Sequence, residues 1–212
     1  MPLRAETRSR RRRPSVTAAL LGTALAGTVS CGGSPPLPVL GTVPEFALTE
    51  RAGTPLSAAD LAGHVWVADF IFTRCPERCP ALTTRLGGLR RRFPDDGDPI
   101  RLVSFTVDPE YDTPEVLRSY AARYGASANW LFVTGPRPAI EALLRDGFKV
   151  IFADDGPPEA PITHSDRFVL VDRQGRVRGH YHGNNEPDVR RLARDALRLR
   201  AERPGEQAAA EL

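Results

Sequence analysis

Apolar and polar positions fall along this chain in blocks with two different periods. Val65–Phe72 is almost wholly β-branched, aromatic or small, with Asp69 its one charge, and predicts a strand buried on both faces in the middle of a sheet. From Ala81 the period changes, and Leu82, Leu86, Leu89 and Phe93 recur at helical spacing. Ile100–Val107 predicts a second strand. Asp112-Thr-Pro-Glu115 then supplies a cap candidate, a first-turn proline and an acid for a helix carrying Val116, Leu117 and Tyr120. Further on, Trp130–Val133 predicts a short strand, Pro138–Arg145 a helix and Phe148–Phe152 a further strand. Arg167–Asp172 and Val177–Tyr181 form a hairpin around Arg173-Gln-Gly175, and a closing helix from Pro187 carries Val189, Leu192, Ala196 and Leu199. Near the start, Phe46–Thr49, the turn Arg51–Thr54 and a short helical turn capped by Ser57 give an N-terminal hairpin.

This alternation implies an α/β fold with a mixed central sheet flanked by helices. The chain has 212 residues, of which 41% are apolar, enough for one domain with tails. The expected organisation is a leader at 1–31, a proline-rich tether at 32–44, a domain at 45–203 and a frayed tail at 204–212. The formal charge of +3 is misleading. Six arginines stand against Glu6 within residues 4–13, and the rest of the chain is slightly acidic, so the folded part carries no nucleic-acid footprint.

The leader has its own logic. A basic start precedes an apolar stretch, Val16–Val29, too short to span a bilayer comfortably, and then Ser30-Cys31-Gly32. The Ser30–Cys31 junction resembles a bacterial lipoprotein cleavage site, which implies that Cys31 is lipidated. Ser9 followed by four arginines also resembles, weakly, a twin-arginine export signal. Both point to a domain held on the extracytoplasmic face of a bacterial cell membrane, where cysteine pairs can oxidise.

The candidate chemistry lies where the central strand gives way to a helix. Cys75 and Cys79 have three residues between them, and Pro80 follows the second. Unpaired N–H groups at a helix start, with Arg74 and Arg78, should lower a thiol pKa there. This predicts a reactive or metal-binding dithiol; the competing reading is a structural disulfide or two inert thiols. A dithiol at the end of the first central strand resembles the thioredoxin-like fold, in which the loop before the Phe168–Val171 strand faces the thiols. That singles out His164 among the four histidines. His64, His180 and His182 are expected at the surface; if the last two met the cysteines, a zinc site would become possible. Two thiolates and an imidazole form a soft site that suits Cu(I) and can hold Cu(II) with an added ligand.

Three motifs carry a wider resemblance: Phe72-Thr-Arg-Cys75-Pro-Glu-Arg-Cys79-Pro80, Val107-Asp108-Pro-Glu-Tyr-Asp112-Thr-Pro-Glu115, and Thr163-His164-Ser165 ahead of Phe168–Gly175. Together they resemble the Sco/SenC family of thioredoxin-like, membrane-tethered copper-delivery proteins for cytochrome c oxidase. The resemblance implies Cys75, Cys79 and His164 as copper ligands, with Asp108 nearby as a supporting acid or weak fourth ligand. Arg74 and Arg78 depart from the family pattern; their charge disfavours a second cation and favours thiolates.

Two functions follow. As a copper metallochaperone, the chain would pass copper to the binuclear copper site of the oxidase subunit. As a thiol–disulfide oxidoreductase, fed by a thiol reductant, the Cys75–Cys79 dithiol would reduce the cysteines of a copper-site partner. A peroxidase using Cys75 with Thr73 and Arg74 fits less well, because Cys79 is paired with it.

Overall fold

The computed structural model describes residues 35–76, 78–150, 152–153 and 162–202, with the side chains of Arg78, Phe152, Ala153, Thr163 and His164 left out of the description. In chain order the elements are β1 (Gly41–Thr42), β2 (Ala47–Glu50), β3 (Pro55–Ser57), a 3-10 turn at Ala58–Leu61, β4 (Trp66–Ile71), α1 (Arg78–Arg90), β5 (Arg101–Thr106) and α2 (Pro114–Arg123). There follow β6 (Trp130–Thr134), α3 (Arg137–Ala142) running into a π-helical turn at Leu143–Phe148, β7 (Phe152–Ala153), β8 (Thr163–His164), β9 (Arg167–Val171), β10 (Arg176–His182) and α4 (Glu186–Ala201).

Eight strands form one sheet in the order β1-β10-β9-β4-β5-β6-β2-β3, while β7 and β8 pair with each other. β4, β5 and β6 run parallel, and their flanking strands run antiparallel. The expected thioredoxin-like mixed sheet and N-terminal hairpin are therefore present, and β4 sits in the middle with all six residues buried. Strand alternation divides its side chains between two cores. Trp66, Ala68 and Phe70 join Phe105 and Phe148 on one face, covered by α3, the π-helical turn and the N-terminal elements. Val67 and Ile71 join Leu102, Trp130 and Phe132 on the other, covered by the apolar stripes of α1, α2 and α4.

Several expectations shift. The strand expected at Phe148–Phe152 does not begin at Phe148, which instead closes the π-helical turn; Lys149 follows it in the left-handed region (φ 54°). Phe148 is completely buried against Phe70 and Phe105, so packing overrides the local β preference. Within Asp112–Glu115 the cap of α2 is Thr113, whose side chain accepts from Val116 N, while Asp112 is buried.

The second half of the segment expected as a tether lies on the domain. β1 pairs with β10, and a bulge between Val177 and Gly179 frees Arg178 to turn beneath the arriving chain. Arg178, 3% exposed, donates to the Leu37 and Pro38 carbonyls and to Asp172 (2.7 Å). At the far end of β10, Gly183 N donates to Asp166 O (2.8 Å). A Cβ on Gly183 would stand 2.5 Å from Leu82 Cδ2 and 2.9 Å from Asp166 O, so a side chain there would make Leu82 or the hairpin end shift.

Candidate metal centre and dithiol

β4 and β5 are parallel neighbours, with Ile71 opposite Thr106, so the segments that follow them emerge side by side. Carboxyl ends of parallel strands are where open α/β sheets place their chemistry. The segment after β4 carries Thr73, Arg74 and Cys75, and the segment after β5 carries Asp108, Tyr111 and Asp112.

Neither cysteine is in a disulfide and both are buried, Cys75 at 8% exposure and Cys79 at zero. Cys79 lies inside the first turn of α1, which begins at Arg78, rather than ahead of the helix. Its N–H donates to Cys75 Sγ at 3.4 Å. The expected lowering of the thiol pKa is not found at Cys79. The hydrogen bond with Cys75 and then burial push its thiol up, Asp69 adds to this, and a backbone hydrogen bond from Phe72 opposes it. Arg74 does not offset these effects, because its charge is already committed: Nε and Nη2 donate to Asp108 Oδ2 at 3.0 and 2.6 Å, and the guanidinium lies 4.5 Å from the Tyr111 ring centroid. Asp108 thus faces Arg74 beside the dithiol.

Asp112 is the group the sequence pattern did not mark as part of this site. It is fully buried and accepts from Thr73 N (3.1 Å), Thr73 Oγ1 (2.5 Å) and Thr106 Oγ1 (2.5 Å). Burial raises its pKa, against the lowering effect of those three donors. Helix-cap chemistry masked it, since Asp-Thr-Pro-Glu offers two residues able to cap and only one does so.

His164 lies in β8, with its Cα opposite Phe152; its side chain is outside the described atoms. The register places Val169 opposite Ala68 and Val171 opposite Trp66, so the start of β9 points toward the carboxyl end of β4, where the cysteines lie. Ile162, two residues before His164, is buried in the same core as Cys75 and Cys79. The other histidines lie elsewhere. His182 is exposed beside Asp166, and His180 is half-buried with Nε2 2.9 Å from Phe148 O. His64, half-buried rather than at the surface, meets Arg101 at 2.9 Å, and burial followed by the Arg101 charge lowers its pKa. No zinc set with His180 and His182 forms: among the described residues there is no group of three metal-ligating side chains. Cys31 lies outside the described residues.

Two soft sulfur donors four residues apart, both buried in the apolar core, fit a soft monovalent metal and equally fit a cycling disulfide. On a thioredoxin-like sheet this is the arrangement of a dithiol protein. The SCO1/SenC family model matches residues 38–198, and the chain belongs to that family. The SCO1 protein homolog of Bacillus subtilis is 36% identical over 143 residues, 66% of this chain and 74% of that protein. A putative copper-binding protein of Stutzerimonas stutzeri is 29% identical over 146 residues, 68% of this chain and 71% of that one. The solved structure of BsSco, described as a Sco-family cytochrome c oxidase assembly protein with a disulfide switch, is 32% identical with a TM-score of 0.70. That match covers 79% of this chain and 99% of that one.

Proposed function

We propose that this protein is a copper metallochaperone for cytochrome c oxidase assembly. The copper cargo would be held by Cys75, Cys79 and His164 and passed by ligand exchange to the binuclear copper site of the oxidase subunit. The observation that carries this is the reduced Cys75–Cys79 pair, buried and in hydrogen-bond contact, in a chain of the SCO1/SenC family. Thiols suit Cu(I), and the imidazole would let the site hold Cu(II) as well. Asp108 acts through Arg74, which it anchors next to Cys75. The domain would work on the extracytoplasmic face of a bacterial membrane, tethered through a lipidated Cys31. A thiol reductant would keep the pair reduced, since a disulfide must open before it can accept Cu(I).

Thiol–disulfide exchange is the second reading, favoured by the unequal exposure of the two cysteines. Cys75 as thiolate would attack a partner's disulfide, releasing one partner thiolate and leaving a mixed disulfide. Cys79 would then lose its proton and displace the second partner thiol. The partner leaves as a dithiol, and Cys75–Cys79 carries the disulfide until a reductant returns two electrons and two protons.

The deciding experiment is copper titration of the purified full-length chain, reduced and without oxygen, beside Cys75→Ser and His164→Ala. Tight one-to-one binding that is lost with Cys75→Ser and weakened for Cu(II) with His164→Ala supports the chaperone. Absence of binding by the wild type, with a readily cycling disulfide, would replace it with the reductase.

A further inference from the structure

The two residues that lead into Cys75 are both gripped by the loop that follows β5. Thr73 gives its backbone N–H and its hydroxyl to Asp112, and Arg74 gives its guanidinium to Asp108. Thr106 joins the two grips: its hydroxyl donates to Asp112 Oδ2 and accepts from Asp108 N at 3.0 Å. Asp112 is entirely buried, whereas the Arg74 side chain is 45% exposed, so the Asp112 grip is the one shielded from water. Cys79, by contrast, is fixed by α1. The separation of the two sulfurs therefore depends on how firmly the Thr73–Cys75 turn is held, and the grips of Asp112 and Asp108 fall on the two residues that lead into Cys75.

We propose that Asp112 is a positioning residue for the dithiol: its carboxylate clasps Thr73 to Thr106 and so keeps Cys75 within reach of Cys79. This rests on the reading of Cys75 and Cys79 as the copper-holding, redox-active pair. A fixed pair has a high effective concentration of one thiol at the other, which favours both disulfide closure and two-sulfur ligation. Loosening the clasp should weaken both together. Groups that bond a metal ligand directly carry about 10–100-fold in metal affinity, and Asp112 acts one step further out, on the residue two before Cys75.

The test uses the full-length chain as wild type, Asp112→Ala, Asp112→Asn and Thr73→Val. Cu(I) affinity is read by competition with a chromogenic chelator, and the Cys75–Cys79 potential by redox titration. Asp112→Ala should lose about tenfold or more in Cu(I) affinity. Its dithiol potential should become more positive, by about 30 mV for each tenfold loss in disulfide-closure equilibrium. Asp112→Asn, which can still accept from Thr73 and donate to Thr106, should recover part of both. Thr73→Val keeps the backbone hydrogen bond and serves should Asp112→Ala fail to fold; it should show the same two changes, smaller. A folded Asp112→Ala or Thr73→Val with unchanged affinity and potential overturns the clasp. A wild type that neither binds Cu(I) nor forms the disulfide overturns the underlying reading, and is seen before any variant is compared.

Discussion

The N–H of Cys79, in the first turn of α1, donates to the sulfur of Cys75, four residues earlier, at 3.4 Å. The two thiols are thus unequal. Cys75 keeps a slight opening to solvent, whereas Cys79 is closed off, and the hydrogen bond with Cys75 and then burial push its thiol pKa up from the ordinary value. Because the thiolate is the nucleophile, native-state alkylation should label Cys75 at least about tenfold faster than Cys79. Timed quenching followed by peptide mass mapping measures this. Equal rates, or Cys79 first, would contradict the arrangement.

Arg178 and Asp172 form a buried ion pair, at 3% and zero exposure, which also holds the carbonyls of Leu37 and Pro38. Removing one partner of such a pair costs about 3–5 kcal/mol. Arg178→Met should fall at the low end, because Arg176 Nε still reaches Asp172 at 2.8 Å. Urea unfolding at neutral pH reads the loss, and a change below about 1 kcal/mol would mean that the pair is solvated.

Asp98 receives both arms of Arg173, at 3.2 and 2.6 Å, and this holds its carboxyl below the ordinary aspartate range. A depressed folded-state pKa gives stability that is complete above the unfolded value, about pH 4, and is lost as pH falls through the folded one. The stability difference between wild type and Asp98→Asn should therefore be flat from about pH 7 to 5 and shrink below about pH 4. With Asp98 at 40% exposure, solvent screening keeps it to about 1 kcal/mol or less. A difference that grows on acidification would rule out this pairing.

Phe148 is completely buried, with ring centroids 5.2 Å from Phe70, 5.3 Å from Phe105 and 5.9 Å from Trp66. Phe148→Ala should cost about 3–5 kcal/mol and weaken the near-ultraviolet circular dichroism of the aromatic cluster. A loss under about 1 kcal/mol would mean that the π-helical turn is not anchored by this ring.

The parts of the fold that were legible in the sequence are those set by period and turn chemistry. Val65–Phe72 announces the central strand because every position is buried, and Arg173-Gln-Gly175 announces the β9–β10 turn because Gly175 takes a positive φ of 74°. What stayed hidden depended on partners distant in sequence. Nothing near Arg178 says that a bulge will turn it under Leu37 and Pro38, 140 residues away. The dithiol was plain from Cys75, Cys79 and the proline that follows. Its state was not: Arg74 reads as a free positive charge until Asp108 is found against it, and Asp112 reads as a cap until Thr73 and Thr106 are found on it. The thiol pKa at Cys79 rises for the same reason, because the hydrogen bond with Cys75 and then burial outweigh a helix start.

Gly183 gives the domain a spacer of zero thickness. The cysteines and the strand leading out of His164 belong to stretches far apart in the chain, and they are brought into register where the hairpin end rests on Leu82, three residues past Cys79. Any side chain at 183 would act as a shim, forcing Leu82 or the hairpin end at Asp166 to give way. A lesion of this kind would displace the helix turn next to Cys79 while leaving both cysteines intact, so the fit of the dithiol segment is set by a position that contributes no functional group to it.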